Sequence, residues 1–302
     1  MKDLIVVGAG PAGMTAALYA MRAGKRVLLV ECEAFGGQIT QSRRVENYPG
    51  VADISGLDLA DRMVSQVMAL GADIEVGRVV AIRDRGDVKT VETESGSFDC
   101  RAVILATGVR HRKLGVPGEE ALIGKGISFC AVCDGAFFKD REVAVLGGGN
   151  TAVQDALLLA ETSAKVYLIH RREGFRAEAT LMERIRSNPK VEILTDTVVT
   201  AVQGEGSLSA LVLKNVKSEE ERILPVAGLF EAIGSVPQND AFAELVDLDE
   251  AGYIASDESC RTRVDGIFVA GDCRQKVIRQ LTTATADGSV AGLAAVEYLN
   301  SL

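Results

Sequence analysis

The fold is decided by Leu4-Ile5-Val6-Val7-Gly8-Ala9-Gly10-Pro11-Ala12-Gly13, followed by an alanine-rich helical pattern over 14–23 and by Arg26-Val27-Leu28-Leu29-Val30-Glu31. A short continuous apolar run is expected of a parallel strand covered on both faces. Glycines at this spacing between strand and helix make a dinucleotide-binding βαβ unit. Gly8 permits the tight turn, Gly10 lets the backbone approach a pyrophosphate, and Gly13 allows close helix–strand packing. Pro11 and Ala12 complete the loop, and the pyrophosphate belongs at the helix N-terminus. Glu31, closing the second strand, would accept hydrogen bonds from ribose hydroxyls. A bare glycine triplet is weak, but here both strands, the helix and the terminal acid are present. An acid there disfavours a 2′-phosphate, so the expected ligand is FAD or NAD.

The pattern occurs a second time. Glu142-Val143-Ala144-Val145-Leu146 leads into Gly147-Gly148-Gly149-Asn150-Thr151-Ala152, a helix over about 153–160, and the strand Lys165-Val166-Tyr167-Leu168-Ile169. In register, Gly8, Gly10 and Gly13 align with Gly147, Gly149 and Ala152, and Glu31 aligns with His170. Where the first unit ends in an acid, the second ends His170-Arg171-Arg172, with Arg176 close behind. Loss of the carboxylate removes repulsion, and guanidinium groups grip a phosphate bidentately. Alanine for the third glycine is common where the adenosine carries a 2′-phosphate. A solvated basic loop would also be arginine-rich, but position at the end of the second strand favours NADPH.

Just before the second unit stands Cys130-Ala131-Val132-Cys133-Asp134-Gly135. Two thiols with two residues between them can close a small disulfide. At a turn opening a helix, the helix N-terminus and the partner sulfur both favour the thiolate. Half a zinc site is the alternative, but that needs two further ligands at similar spacing. Cys32, Cys100, Cys260 and Cys273 are singletons, and His111 and His170 stand alone, so no metal ligand set is expected. Asp134, directly after the second cysteine, is a possible proton donor for a leaving thiolate.

Between and beyond these motifs the chain alternates strand and helix signals. Ala34-Phe35-Gly36-Gly37-Gln38 and Val45-Glu46-Asn47-Tyr48-Pro49-Gly50 read equally as surface loops or as contacts to a large flat cofactor. A helix is expected over 57–70 and strands near 73–76, 79–83 and 88–92. Ala102 to Leu105 is a buried strand ending Ala106-Thr107-Gly108, where a parallel sheet places its ligand edge. Residues 115–118 have linker composition, 191–224 read as strands with turns, and 228–234 as strand to turn. Near the end, Gly266-Ile267-Phe268-Val269-Ala270-Gly271-Asp272 closes on an acid before a long alanine-rich helix. Asp272 is either a turn residue or a binder of a cofactor's polyol hydroxyls. The helix N-terminus near 282–286 could stabilise negative charge on a reduced ring. A net charge of −9 argues against nucleic acid or anionic membrane as a partner. The start passes directly into a strand pattern with no signal peptide, and no apolar run approaches spanning length. A cytoplasmic protein is expected, in which a paired thiol is catalytic rather than structural.

Taken together, the motifs resemble the low-molecular-weight, bacterial-type thioredoxin reductases over essentially the whole chain. The matching segments are 8–13, 36–38, 46–50, 106–108, 130–135, 147–152, 170–178, 266–272, 279–280 and 283–288. The resemblance implies an α/β fold of two Rossmann-like, three-layer nucleotide-binding domains. A discontinuous FAD domain (1–113 and 239–302) would carry an inserted NADPH domain (114–238) with the dithiol. It implies FAD contacts from Gly8, Gly10, Pro11, Ala12, Gly13, Glu31, Gly36, Gly37, Gln38, Asn47, Ala106, Thr107, Gly108, Gly271, Asp272, Arg279, Gln280 and Leu281. NADPH contacts would come from Gly147, Gly149, Asn150, Thr151, His170, Arg171, Arg172 and Arg176. It also implies a homodimer, thioredoxin or a thioredoxin-like small redox protein as partner, and hydride passage from NADPH to FAD and on to the disulfide. Cys133 would meet the flavin, Cys130 would attack the partner, and Asp134 would move protons. Rotation of the NADPH domain, hinged near 114–118 and 234–239, would let one dithiol serve both. Asn150-Thr151, Phe129 and Cys273 depart from the usual pattern, and Cys273 reads as a small buried hydrophobe.

Several rivals fit less well. A glutathione-reductase-type enzyme would carry its dithiol soon after the first βαβ unit and a C-terminal histidine base, and the last third here has no histidine. A dithiol oxidase or ferredoxin-linked relative would lack Arg171, Arg172 and Arg176. A redox-sensing regulator would not need an intact flavin site beside an intact dithiol. A peroxiredoxin-reducing flavoprotein usually carries an extra N-terminal redox domain.

Overall fold

Continuous apolar runs become the inner strands of two parallel sheets. The computed structural model describes residues 1–42 and 44–302. The chain divides into two units, one built from 1–110 and 236–302, the other from 111–235. In the first, β1 (Lys2–Val7), α1 (Pro11–Arg22) and β2 (Val27–Glu31) are followed by α2 (Gly56–Ala69), β3 (Asp73–Val76), β4 (Val79–Asp84), β5 (Lys89–Thr93) and β6 (Ser97–Leu105). The sheet order is β3-β2-β1-β6-β5-β4. Strand β6 changes character along its length: residues 97–100 pair antiparallel with β5, while 102–105 pair parallel with β1 and are fully buried. Helix α1 starts at Pro11, three residues before the expected 14. Proline at the first helical position gives up only an N–H that had no intrahelical partner, so the loop proper shrinks to residues 8–10.

Strand β7 (Val109–His111) carries the chain into the second unit. There follow α3 (Glu119–Leu122), β8 (Ile127–Ser128), α4 (Ala131–Asp134), β9 (Glu142–Leu146), α5 (Asn150–Thr162), β10 (Lys165–Ile169), α6 (Ala179–Arg186), β11 (Val191–Leu194), β12 (Thr197–Gln203), β13 (Ala210–Asn215), β14 (Glu221–Pro225) and β15 (Gly228–Glu231). The parallel sheet runs β11-β10-β9-β15-β8, and β12-β13-β14 form a separate antiparallel sheet. Strand alternation sorts the side chains into two cores. Val143, Val145, Val166, Leu168 and Phe230 pack on α5 and α6. Ala144, Leu146, Tyr167, Ile169 and Leu229 pack on the antiparallel sheet. The unit is therefore three-layered. Helix α5 also begins earlier than expected, for its first turn needs only the extended Gly149 before it.

Strand β16 (Ser235–Pro237) returns the chain to the first unit, where β17 (Ile267–Val269) pairs with β6 and α7 (Leu281–Ser301) follows. Helix α7 lies directly on α1: a methyl group at Gly288 would stand 2.3 Å from the Ala12 carbonyl oxygen. Neighbouring strands run β3-β2-β1-β6-β17 in the first unit and β11-β10-β9-β15-β8 in the second. The sequence repeat is thus a repeat of Rossmann-like topology.

Strand β15 carries an unusual burden. Glu231 is only 4% exposed, with neither carboxyl oxygen hydrogen-bonded among the described residues. Beside it Glu119, also buried, accepts from the backbone N–H groups of Leu114, Gly115 and Val116 at 2.9, 2.6 and 3.2 Å. Burial first, and then the charge of Glu119, push the Glu231 carboxyl up from an ordinary 4.5 to about 8. A carboxyl that holds its proton more tightly when folded stabilises the fold at low pH. That contribution is whole below about 4.5 and is lost as pH rises through about 8. Glu231→Gln should therefore raise the melting temperature most near pH 8, with the advantage shrinking towards pH 5. Thermal melts across that range test this, and a pH-independent difference would contradict it.

Candidate functional site

In the first unit the glycine loop joins β1 to α1. Gly8, at φ 102°, backs against the Ala106 carbonyl, and a methyl at Gly13 would lie 1.9 Å from the Gly8 oxygen. Gly10 is the reverse case, because nothing stands within 4 Å of the position its Cβ would take. No side chain among the described residues caps α1, so its first N–H groups are not taken up by a cap, as an anion site requires. The Glu31 carboxylate is fixed by the backbone N–H groups of Ala9 at 2.7 Å and Glu33 at 2.9 Å. Gly36 donates its N–H to the Ala9 carbonyl at 2.8 Å, and Gly37 packs against Gly10. The Gln38 amide donates to the Val109 carbonyl, and the Asn47 amide reaches Gln280 Oε1 at 3.4 Å.

The other end of the chain completes this edge of the sheet. Ala106 N–H donates to the Val7 carbonyl, Thr107 Oγ1 donates to the buried Asn239 at 2.9 Å, and Gly108 takes a positive φ. Asp272 follows Gly271 just after β17, and its Oδ1 is buried without a hydrogen-bond partner among the described residues. Burial pushes this carboxyl up, and Lys276 and Arg279 oppose the shift. A buried acceptor with no hydrogen bond among the described residues and with Lys276 Nζ 3.9 Å away, in the same unit as a loop open at Gly10, fits the polyol and pyrophosphate of FAD. Arg279 lies over the Tyr253 ring at 4.0 Å and donates to the Asp272 carbonyl, while Gln280 and Leu281 open α7. Sequence reasoning missed the buried cluster behind Asp272. Asp287 accepts from Gly271 N–H at 3.0 Å, from Arg274 Nε and Nη2 at 2.9 Å each, and from Lys276 Nζ at 2.9 Å. An acid inside an otherwise alanine-rich helix was the available signal.

The second loop repeats the first with one change. Gly147 is the turn, Gly149 is open, and α5 again has no side-chain cap. Ala152 is buried at the third position, 2.7 Å from where a Cβ on Gly147 would sit, so alanine fits because Gly147 has none. Asn150 is spoken for: its amide donates to Glu178 Oε1 and its Oδ1 accepts from Glu178 N–H, both at 2.8 Å. This bond ties the glycine loop to the arginine loop, and Thr151 beside it is exposed. His170 turns inward, its ring on Gly148 and Phe175 and its Nε2 3.1 Å from the Gly174 carbonyl. Burial and then the three nearby guanidiniums hold it below its ordinary range, against the Gly174 bond. Arg171, Arg172 and Arg176 are exposed, with no ion pair or side-chain hydrogen bond among the described residues. Three uncommitted cations beside an open glycine loop suit a 2′-phosphate.

The dithiol stands in this same unit, where Cys130 and Cys133 form a disulfide. Helix α4 is a single turn, and the local contact it gives the dithiol is Cys133 N–H to Cys130 Sγ at 3.1 Å. Both cysteines are half-buried. Asp134 is half-buried too, and Ser128 Oγ donates to its Oδ2 at 2.6 Å. Burial pushes this carboxyl up, and the Ser128 bond partly opposes it. Phe129 stacks on His111 with ring centres 4.6 Å apart, and burial lowers His111 to about 4. Cys273 is fully buried, with Sγ near the Ala270 and Leu105 carbonyls.

Comparison with known proteins points the same way. The family model described as pyridine nucleotide-disulphide oxidoreductase matches residues 2–288. The thioredoxin reductase of Listeria innocua serovar 6a is 45% identical over 301 residues, covering 99% of this chain and 94% of that protein. The thioredoxin reductase of Treponema pallidum is 44% identical over 301 residues, covering 99% and 98%. The crystal structure of thioredoxin reductase from Streptococcus pyogenes MGAS5005 superposes with a TM-score of 0.97 at 42% identity, covering 100% and 99%.

The arginine loop makes one sharp prediction. Replacing Arg171 and Arg172 together by alanine should raise KM for NADPH by about 10- to 100-fold and leave KM for NADH nearly unchanged, since charge-assisted bonds to a phosphate are worth about 1.5–3 kcal/mol. Steady-state kinetics with both nucleotides decide it, and equal losses for both would remove the arginines from phosphate recognition.

Proposed function

The chain belongs to the pyridine nucleotide-disulphide oxidoreductase family, and from that premise we propose that it is an NADPH-dependent thioredoxin-disulfide reductase acting through Cys130 and Cys133. One observation carries the reading: an arginine-flanked glycine loop and a disulfide share one unit, while the acid-ended glycine loop lies in the other. When bound, NADPH would supply a hydride and FAD would supply a two-electron carrier. The first site would be held by Gly8, Gly10, Gly13, Glu31, Thr107 and Asp272, with Arg279 and Gln280 bounding it. Gly147, Gly149 and the three arginines would hold the second.

The remaining chemistry belongs to side chains of this chain. In the reduced protein the Cys130 thiolate attacks the partner's disulfide; a new S–S bond forms as the old one breaks, and one partner sulfur leaves and takes a proton. Cys133 then loses its proton and attacks Cys130. The Cys130–Cys133 bond re-forms, the second partner sulfur leaves, and that sulfur is protonated in turn. The dithiol gives up two electrons and the partner disulfide gains them. Asp134, next to Cys133 in the chain, is the group we assign to hold and pass these protons. A thioredoxin is the partner this reading names, since the relatives carry that name. A homodimer belongs to the same reading through the family resemblance. So does a cytoplasmic setting, where a reducing environment would leave the exposed Cys32 unpaired. No helix among the described residues is long and apolar enough to cross a membrane.

Purified FAD-loaded protein should oxidise NADPH continuously when thioredoxin and a disulfide acceptor are supplied. Cys130→Ser and Cys133→Ser should each abolish that turnover while NADPH still bleaches the flavin. Thioredoxin-dependent turnover surviving in either variant would contradict the reading.

A further inference from the structure

We propose that Ser128 is a positioning residue for the dithiol chemistry, its hydroxyl aiming the Asp134 carboxyl and binding it to the backbone of the attacking cysteine. This rests on the proton-carrying role assigned to Asp134 above. Ser128 ends β8, the edge strand of its sheet, and is buried. Its oxygen accepts the Cys130 N–H at 3.1 Å, and its hydrogen goes to Asp134 Oδ2 at 2.6 Å. The Cys130 carbonyl, at 3.4 Å, is the weaker of the two available acceptors. Asp134 N–H meanwhile donates to that carbonyl at 3.1 Å. Strand end, cysteine backbone and carboxyl thus form one closed ring of hydrogen bonds, of the kind that holds a proton carrier in place through successive transfers.

The hydroxyl also has an electrostatic effect. Burial disfavours the ionised carboxyl, whereas a donor at 2.6 Å favours it. Few other charges act on this group. The turn after α4, residues 135–138, has no titratable side chain, and Lys139 and Asp140 beyond it are exposed. Helix α5, packed against α4, brings Asp155, itself raised to about 6 by burial, and the exposed Glu161. Strand β8 brings none. Besides the two cysteines, Ser128 is then the polar side chain set to tune Asp134. A reach of six residues from strand to helix escapes any CxxC motif, so this pairing was not visible in the sequence.

The test is the pH profile of kcat/KM for thioredoxin, measured with the FAD-loaded enzyme under saturating NADPH. Ser128→Ala should move the limb governed by Asp134 upwards by about one pH unit, and Ser128→Thr, which keeps the hydroxyl, should bring it back. Asp134→Asn should slow turnover by about 100-fold or more, and adding Ser128→Ala to it should produce no further shift. A folded fraction that is constant across the pH range scales such a profile without moving its midpoint, so circular dichroism at each pH separates lost stability from a true shift. A Ser128→Ala profile that overlays the parent, with Asp134→Asn slow, would overturn the positioning role. Asp134→Asn at the parental rate would instead overturn the role of Asp134 itself.

Discussion

A helix that starts against the end of a parallel strand leaves its first backbone N–H groups without partners, and this protein keeps that arrangement open in both of its units. The condition is steric. Gly13 must lack a side chain because a methyl would meet the Gly8 carbonyl, whereas Gly10 lacks one with nothing in its way. The first absence lets the helix pack, and the second leaves room for a ligand. In the second unit Gly147 gives up its own Cβ volume to Ala152, and the same opening persists at Gly149. Everything distinctive about the two sites is then added at the edges: a carboxylate fixed by two N–H groups in one, three exposed guanidiniums in the other.

The dithiol depends on a smaller constraint. Its helix is one turn long and has little field of its own, so the environment of the sulfurs is set by immediate neighbours. Cys130 Sγ takes the N–H of Cys133, Ser128 links the Cys130 backbone to Asp134, and Phe129 is stacked between strand and dithiol by His111. Each contact restricts how the pair can move without enclosing it, and both cysteines keep part of their surface in solvent. A sulfur that must react with another protein needs that combination of fixed geometry and access.

Much of this was legible from the chain alone, and the reasons differ by feature. The strands were readable because sheets buried on both faces demand unbroken apolar runs, and the change from Glu31 to His170-Arg171-Arg172 was readable because it replaces an acid by cations at the end of the second strand of each unit. Helix starts were misjudged by three residues in both units, since the last residues of each loop, Pro11 to Gly13 and Asn150 to Ala152, are themselves the first helical turn. Three features were not read from the sequence. Ser128 finds Asp134 through a turn, Asp287 gathers Arg274, Lys276 and Gly271 from sequence neighbours of a different element, and Glu231 is an acid in a strand that burial makes neutral. All depend on which polar groups end up enclosed together. His170 and Asn150 were legible as members of the second loop, but their side chains are turned to bracing it, a matter of rotamer and packing.

The central claim is that the flavin site and the Cys130–Cys133 disulfide belong to one electron pathway. An anaerobic reductive titration of the FAD-loaded protein, with electrons counted against flavin absorbance and with thiols trapped by alkylation, tests it most directly. The account predicts that each chain takes up two pairs of electrons, one held by the flavin and one appearing as two new thiols at Cys130 and Cys133. Uptake that ends at one pair, with the flavin fully reduced and the disulfide intact, would contradict it.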